Sequence, residues 1–204
     1  MKHAVLRRAV GLAIGIAALL AGSAQAATIQ PSPVDTSGCT TGAFAQPFAS
    51  AHDSNWYTLM PGESAGNFDG NGWALTGGAK LVTTTLADGT VGTVLDLPSG
   101  STAVSPVMCV TSAYPTARTM VRNVAGGDGV HFKVAYAGTQ TWAQPQETGQ
   151  VHGRATGWTL SDNVNVHPAN NVTGWQPVRF TLVAGGKTSD FEVYNFYVDP
   201  RCFH

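Results

Sequence analysis

Residues 61–73 read PGESAGNFDGNGW, and three folds compete for them. GESAG fits the G-x-S-x-G elbow of α/β hydrolases. DGNG fits part of a calcium loop, and the density of Gly and Asn fits a tight turn that delivers the chain into a strand. An elbow needs a strand before Ser64 and a helix after it, but the Gly and Asn residues that follow do not sustain a helix. An EF-hand needs further acids at fixed spacing, yet Trp73 interrupts the pattern and the next acid is Asp88. The turn survives. Phe68 and Trp73 then act as apolar anchors on either side of it, with Trp73 sharing strand parity with Leu75 and facing a core.

Outward from this turn the chain is a run of short strands. In Gly129–Gly138, Val130, Phe132, Val134 and Tyr136 alternate with His131, Lys133 and Ala135, the period of a half-buried antiparallel strand. Pro177–Val183 repeats the pattern. Lys80–Leu86, Thr93–Leu97, Thr102–Val110 and Arg118–Val124 are further strands, with LADG (86–89) as a hairpin turn. In Asp190–Asp199, Phe191 and Val193 share one parity while Phe196 and Val198 share the other, which predicts a β-bulge at Tyr194-Asn195. Strands are also expected around 149–160. Such spacing predicts an all-β antiparallel sandwich.

Lys2, Arg7 and Arg8, the uncharged run 9–22 and Ala24-Gln25-Ala26 have the order of a signal peptide over residues 1–26. Arg7-Arg8 is also the pair used by twin-arginine export, without its usual continuation. Residues 27–38 read as a Pro/Ser/Thr-rich lead-in, and 39–204 as one domain. Without Lys2, Arg7 and Arg8, 8 Lys/Arg face 12 Asp/Glu, a net charge of −4. That balance gives no footprint for nucleic acid or an anionic membrane. A neutral-polar surface suits a neutral-polar ligand such as a glycan. No later stretch is apolar enough to insert into a bilayer, so a secreted, extracellular product is expected.

Three cysteines, Cys39, Cys109 and Cys202, allow one disulfide in an oxidising compartment, by any of three pairings. His52, His131, His152, His167 and His204 have no metal-ligand spacing. His131 falls on the outer face of its strand. Asn171-Val172-Thr173 is a glycosylation sequon, of no expected use behind a bacterial-type leader.

NFDGNGWALTGGA (67–79) together with FEVYNFYVDPR (191–201) resembles jelly-roll carbohydrate-binding modules and other galactose-binding-like domains. More narrowly, the chain from 39 to 201 resembles a group of small secreted bacterial proteins to which no activity is assigned. The matching residues are Cys39, Asp53, YTLMPGE (57–63), Phe68, Asp69, GWALTGGA (72–79), SPVMC (105–109), Pro115, Arg118 and FYVDPR (196–201). The resemblance implies a jelly-roll with a Cys39–Cys109 bridge. In many galactose-binding-like domains a structural Ca²⁺ sits at the positions of Asp69 and Asn195. Here Asp69 stands where Glu is usual, and Tyr194-Asn195 where two aspartates are usual, so no cofactor beyond such a calcium is expected.

Aromatic residues are the remaining lever, because sugar CH faces stack on Trp and Tyr. Trp142 and Trp158 sit in polar, turn-rich surroundings and are the expected ligand platforms, whereas Trp56 adjoins the apolar YTLM and is expected to pack. Trp175 is open to either role. The leading expectation is a secreted non-catalytic binding module for an extracellular or cell-surface glycan. A structural or protein-interaction domain of the cell envelope comes second, and a small hydrolase using Ser64 third. The leader carries its own prediction: the exported protein starts at Ala27, and intact mass and N-terminal sequencing of secreted material will show it. A start elsewhere contradicts the assignment.

Overall fold

Apolar alternation becomes fourteen strands among the residues that the computed structural model describes, which are 36, 37, 39, 42–111, 115–138, 141–155, 157–166 and 175–201. The signal segment, most of the lead-in, Cys202, His167, His204 and the Asn171 sequon lie outside them. The strands are β1 (Phe44–Ala45), β2 (Tyr57–Leu59), β3 (Ala74–Thr76), β4 (Lys80–Thr85), β5 (Val91–Pro98), β6 (Thr102–Val104) and β7 (Met108–Val110). They continue with β8 (Thr116–Ala125), β9 (Val130–Tyr136), β10 (Gln146–Val151), β11 (Thr159–Leu160), β12 (Val164–Asn165), β13 (Gln176–Ala184) and β14 (Asp190–Asp199). A single 3-10 turn, Ala49–Ala51, is the only helix among the described residues, and none there is long and apolar enough to cross a membrane.

Two antiparallel sheets form. In the eight-stranded one, β14 pairs with β8 along its length. Its other edge pairs first with β5 and then with β2, while β4, β1, β11 and β12 complete the layer. The six-stranded sheet has the order β10-β9-β13-β6-β3, with β7 also on β13. Successive strands cross repeatedly between the two layers: β2 lies in the first, β3 in the second, β4 and β5 in the first, β6 and β7 in the second. This is jelly-roll connectivity, and the all-β sandwich predicted from alternation is the observed fold.

The expected single strand Thr102–Val110 is divided. Pro106 has no N–H to give to a ladder. Ser105 fills the gap: its N–H donates to the Phe180 carbonyl at 2.8 Å, and its Oγ accepts from the Phe180 N–H at 2.9 Å. β6 and β7 therefore flank one serine and both hold β13. Cys39 and Cys109 are bridged, with Cα atoms 5.3 Å apart across 70 residues. This is the pairing that the resemblance implied, and closing such a loop stabilises by roughly 4 kcal/mol on the chain-entropy estimate.

The bulge in β14 lies where its parity changes. The register with β8 shifts between Tyr194 and Tyr197, and Asn195 adopts φ 53°. As a result Phe191 and Val193, then Phe196 and Val198, all enter one core. Phe196 packs edge-on to Phe180 (5.0 Å) and Phe132 (5.4 Å) of the opposite sheet, with Trp73 6.4 Å away. Trp73 is buried, as its parity required. Asn tolerates the left-handed conformation better than most residues because its short side chain bonds locally, and here its Oδ1 accepts from the Gly66 N–H at 2.8 Å. Asn195→Ala loses that bond and strains the backbone, and is expected to cost about 2 kcal/mol. Asn195→Gly, which relaxes the backbone, costs less. Urea unfolding of the two variants measures the order, and equal losses contradict the conformational explanation.

Candidate functional site

The 61–73 stretch is a set of turns. Ser64 and Asn67 exchange main-chain hydrogen bonds at 2.8 and 2.9 Å, and Ser64 is exposed in that turn. Gly62 has φ 86°, and a Cβ there would lie 2.2 Å from the Asn71 carbonyl oxygen. Phe68 and Trp73 pack with ring centres 4.7 Å apart and planes tilted by 51°, and the Trp73 indole N–H donates to the Pro61 carbonyl at 3.1 Å. The stretch is pinned to β5 by Phe68 N–H to the Thr93 carbonyl (2.8 Å) and by Thr93 N–H to Asn67 Oδ1 (3.0 Å). No helix follows Ser64, so the arrangement of a nucleophile elbow is not formed.

Glu63 was not anticipated. Its Oε2 accepts from the Phe196 N–H at 3.0 Å, just past the bulge, while Oε1 is buried with no partner. Burial pushes this carboxyl well above the ordinary carboxylate range, and Asp69 adds to the shift. Asp69 itself is exposed, and Asn195 Oδ1 is committed to Gly66. Among the described residues no three His, Cys, Asp or Glu side chains converge. Ca²⁺ requires six to eight oxygens with several carboxylates; this donor set does not fit it. Burial of Oε1 and the Phe196 N–H bond to Oε2 describe the Glu63 carboxyl without a metal.

The bulge and the turn form one wall of a cleft of about 620 Å³ on the outer face of the eight-stranded sheet. Met120, Leu160 and Tyr194 floor it. Residues 47–51 close one side, 65–67 another, and the 86–91 hairpin a third. Tyr194 fixes the hairpin, its hydroxyl accepting from the Ala87 N–H at 3.2 Å. On the opposite wall, Phe48 packs edge-on to Tyr57 (5.2 Å) and Tyr197 (5.5 Å) beneath the Arg118 guanidinium. Arg118 in turn holds Asp53 at 2.6 Å, which also accepts from the Tyr57 hydroxyl at 2.7 Å. Burial alone would raise the Asp53 pKa, but the hydrogen bonds from Tyr57, Arg118 and the Asn55 N–H, together with the Arg118 charge, outweigh it and hold the carboxyl below its ordinary value. Asp53 and Arg118, both among the residues that carry the sequence resemblance, thus brace a wall of the cleft.

The polar lining is Ser50, Asn67, Asp88, Thr90 and Asn195, so Asp88 is the single charge, and it accepts from Thr90 N–H and Oγ. The Asn67 and Asn195 side chains accept through Oδ1. Their Nδ2 groups donate to no described residue.

The structure separates the two expected platforms. Trp158 belongs with the eight-stranded sheet: it packs edge-on to Tyr194 at 4.7 Å, donates to the Thr85 carbonyl at 2.8 Å and carries Arg122 over its ring. Trp142 lies by the six-stranded sheet, bridged to Ala137, with Arg179 stacked at 4.3 Å. Trp175 lies under Arg201. Trp56 departs from expectation, for it is 57% exposed at the start of β2. Adjacency to an apolar strand does not bury the residue before it.

No protein-family model matches this chain, and no curated protein matches it. Solved structures do. One is the xylan-binding CBM22-1 domain of Paenibacillus barcinonensis Xyn10C, with 14% identity, TM-score 0.42, and 65% of this chain and 88% of that one covered. Another is the family 11 carbohydrate-binding module of the Clostridium thermocellum cellulase Lic26A-Cel5E, with 14% identity, TM-score 0.40, and coverage of 65% and 89%. An arabinose-bound α-L-arabinofuranosidase, MgGH51, is 18% identical with TM-score 0.46, and 86% of this chain covers 31% of it. These are similarities to β-sandwich domains, and what those proteins bind is a property of those proteins.

Titration tests the Glu63 assignment. Asp190 is likewise pushed up, to about 6, by burial and then by Asp96. A carboxyl whose folded pKa is raised binds more protons folded than unfolded, so its contribution to stability is lost as pH rises past the unfolded value. Stability is therefore expected to fall from about pH 4 toward neutrality. Glu63→Gln keeps an acceptor for Phe196, flattens this decline and unfolds at higher denaturant than wild type at pH 7. Lower stability at pH 7, or a melting temperature raised by Ca²⁺ and lowered by chelator, contradicts a raised Glu63 pKa in a site without metal.

Proposed function

We propose that this chain is an exported, non-catalytic domain that binds a neutral glycan in the cleft above Met120, Leu160 and Tyr194. The chemistry of the lining carries the reading. At about 620 Å³ the cleft is the size of small-ligand sites. An apolar floor suits the CH faces of a sugar ring. The Asn67 and Asn195 amides, with the Ser50 and Thr90 hydroxyls, suit its hydroxyl groups. Glycoside hydrolysis by the usual route takes two carboxyl groups flanking the bond; the cleft lining holds one, Asp88, already bonded to Thr90. Trp158, against Tyr194 at the floor, is a further contact for a chain leaving the cleft. Export is supported by the leader at 1–26 and by the Cys39–Cys109 bridge, which persists in oxidising compartments.

Retardation in gels containing xylan, β-glucan, galactan or mannan measures this directly. Retardation by at least one polymer is expected. It is expected to be abolished by Ala51→Trp or Ala65→Trp, which fill the cleft from exposed wall positions, and to survive Lys187→Gln. Trp158→Ala is expected to weaken it severalfold. A protein retarded by none of a broad neutral panel is not a glycan binder of this kind, and the envelope-interaction reading replaces it.

A further inference from the structure

Three arginines are half-buried among the described residues: Arg118, Arg122 and Arg179. Two are neutralised within the chain. Arg118 meets Asp53 and the Ser161 carbonyl, and Arg122 meets Glu192 and Thr84. Arg179 has no such partner. It points outward from β13, the central strand of the six-stranded sheet, and no described residue gives it an ion pair or a hydrogen bond. Its guanidinium instead lies 4.3 Å from the Trp142 ring centre. A charge partly withdrawn from water normally has a counter-charge; this one lies over an aromatic face and, among the described residues, has no acceptor for its N–H groups.

The neighbouring positions share that character. Thr181 is in register with Lys133, and Arg179 with Ala135, so Arg179 and Lys133 are diagonal neighbours about 7–8 Å apart on one face. Glu147, opposite Lys133, is engaged by His131 Nδ1 at 2.8 Å. Arg179, Thr181 and Lys133 thus form a short polar row of two cations and a hydroxyl beside Trp142, with the Glu147 carboxylate, turned to His131, bordering its Lys133 end.

We propose that this face binds the carboxylate of a uronic acid in an acidic polysaccharide. The Arg179 fork takes the carboxylate in two parallel hydrogen bonds, Trp142 fixes the plane of that fork, Lys133 adds a second positive charge, and Thr181 bonds a ring hydroxyl. Charge complementarity selects this partner over denser polyanions. The domain as a whole carries −4 without residues 1–26, which repels any polyanion at long range, the more so the denser its charge, so the two cations act at contact distance. A polyuronate presents a single carboxylate on each ring, matched to a short row of cations. The site is independent of the cleft, which lies on the other sheet.

The test is binding to immobilised polygalacturonate, compared with its fully methyl-esterified form, at low and at physiological salt. Wild type is expected to bind the acid and not the ester. Arg179→Gln and Lys133→Gln are each expected to weaken binding at least tenfold with melting temperatures near wild type. Arg179→Lys, which keeps charge but not the fork, still weakens it measurably. Lys187→Gln, an exposed substitution of equal charge, and the cleft variant Ala51→Trp leave it unchanged. The proposal is overturned by wild type that ignores the acid or binds the ester equally well. It is also overturned by Arg179→Gln and Lys133→Gln variants that bind normally, or by an equal loss in Lys187→Gln. Equal binding to dextran sulfate or poly-glutamate overturns the carboxylated-sugar assignment in favour of a general anion site.

Discussion

The bulge at Asn195 is the constraint on which the remaining structure depends. A ten-residue strand with strict alternation would place Phe196 and Val198 on the solvent face if Phe191 and Val193 faced the core. One extra residue reverses the parity, and β14 then carries four apolar side chains into the same interior. The reversal is held from the 61–73 turn: Asn195 Oδ1 accepts from Gly66, and Glu63 accepts from Phe196. The same residues shape the cleft wall, so the core and the candidate site share one set of hydrogen bonds.

Much of this was legible in local pattern. The bulge was visible as a parity change, the sandwich as repeated alternation, and the 86–89 turn as LADG; the strands at 130–136 and 176–184 fell where period-two patterning put them. Trp73 was assignable to the core through Leu75. What local pattern could not supply was meeting partners. The buried role of Glu63 has no local signal because the donor that meets it is 133 residues away. The cleft draws on six separate stretches between residues 47 and 195. Trp142 and Trp158 stand in polar stretches of the sequence, but nothing near them in sequence announces Arg179 or Arg122 above their rings. Trp56 misled because sequence neighbours of a strand need not share its burial.

Electrostatics divide the two outer faces. On the eight-stranded sheet Arg118 and Arg122 are answered by Asp53 and Glu192, and the cleft beside them is left nearly neutral. On the six-stranded sheet Arg179 is unanswered among the described residues. Internal pairing makes a face suited to hydroxyl-bearing ligands; a guanidinium over an aromatic ring, with no partner among the described residues, suits a carboxylate. A molecule with few charges can therefore present two surfaces of different chemistry, set by which arginines have partners.

The central claim is that the cleft at the bulge receives a neutral glycan, and side-chain amide NMR reads it most directly. In ¹⁵N-labelled protein titrated with an oligosaccharide from a neutral polymer that retards it, the Asn67 and Asn195 NH₂ signals and the Gly66 amide are expected to shift together with residues 86–91. Shifts confined to other parts of the sandwich, with those signals unmoved at saturation, would contradict it.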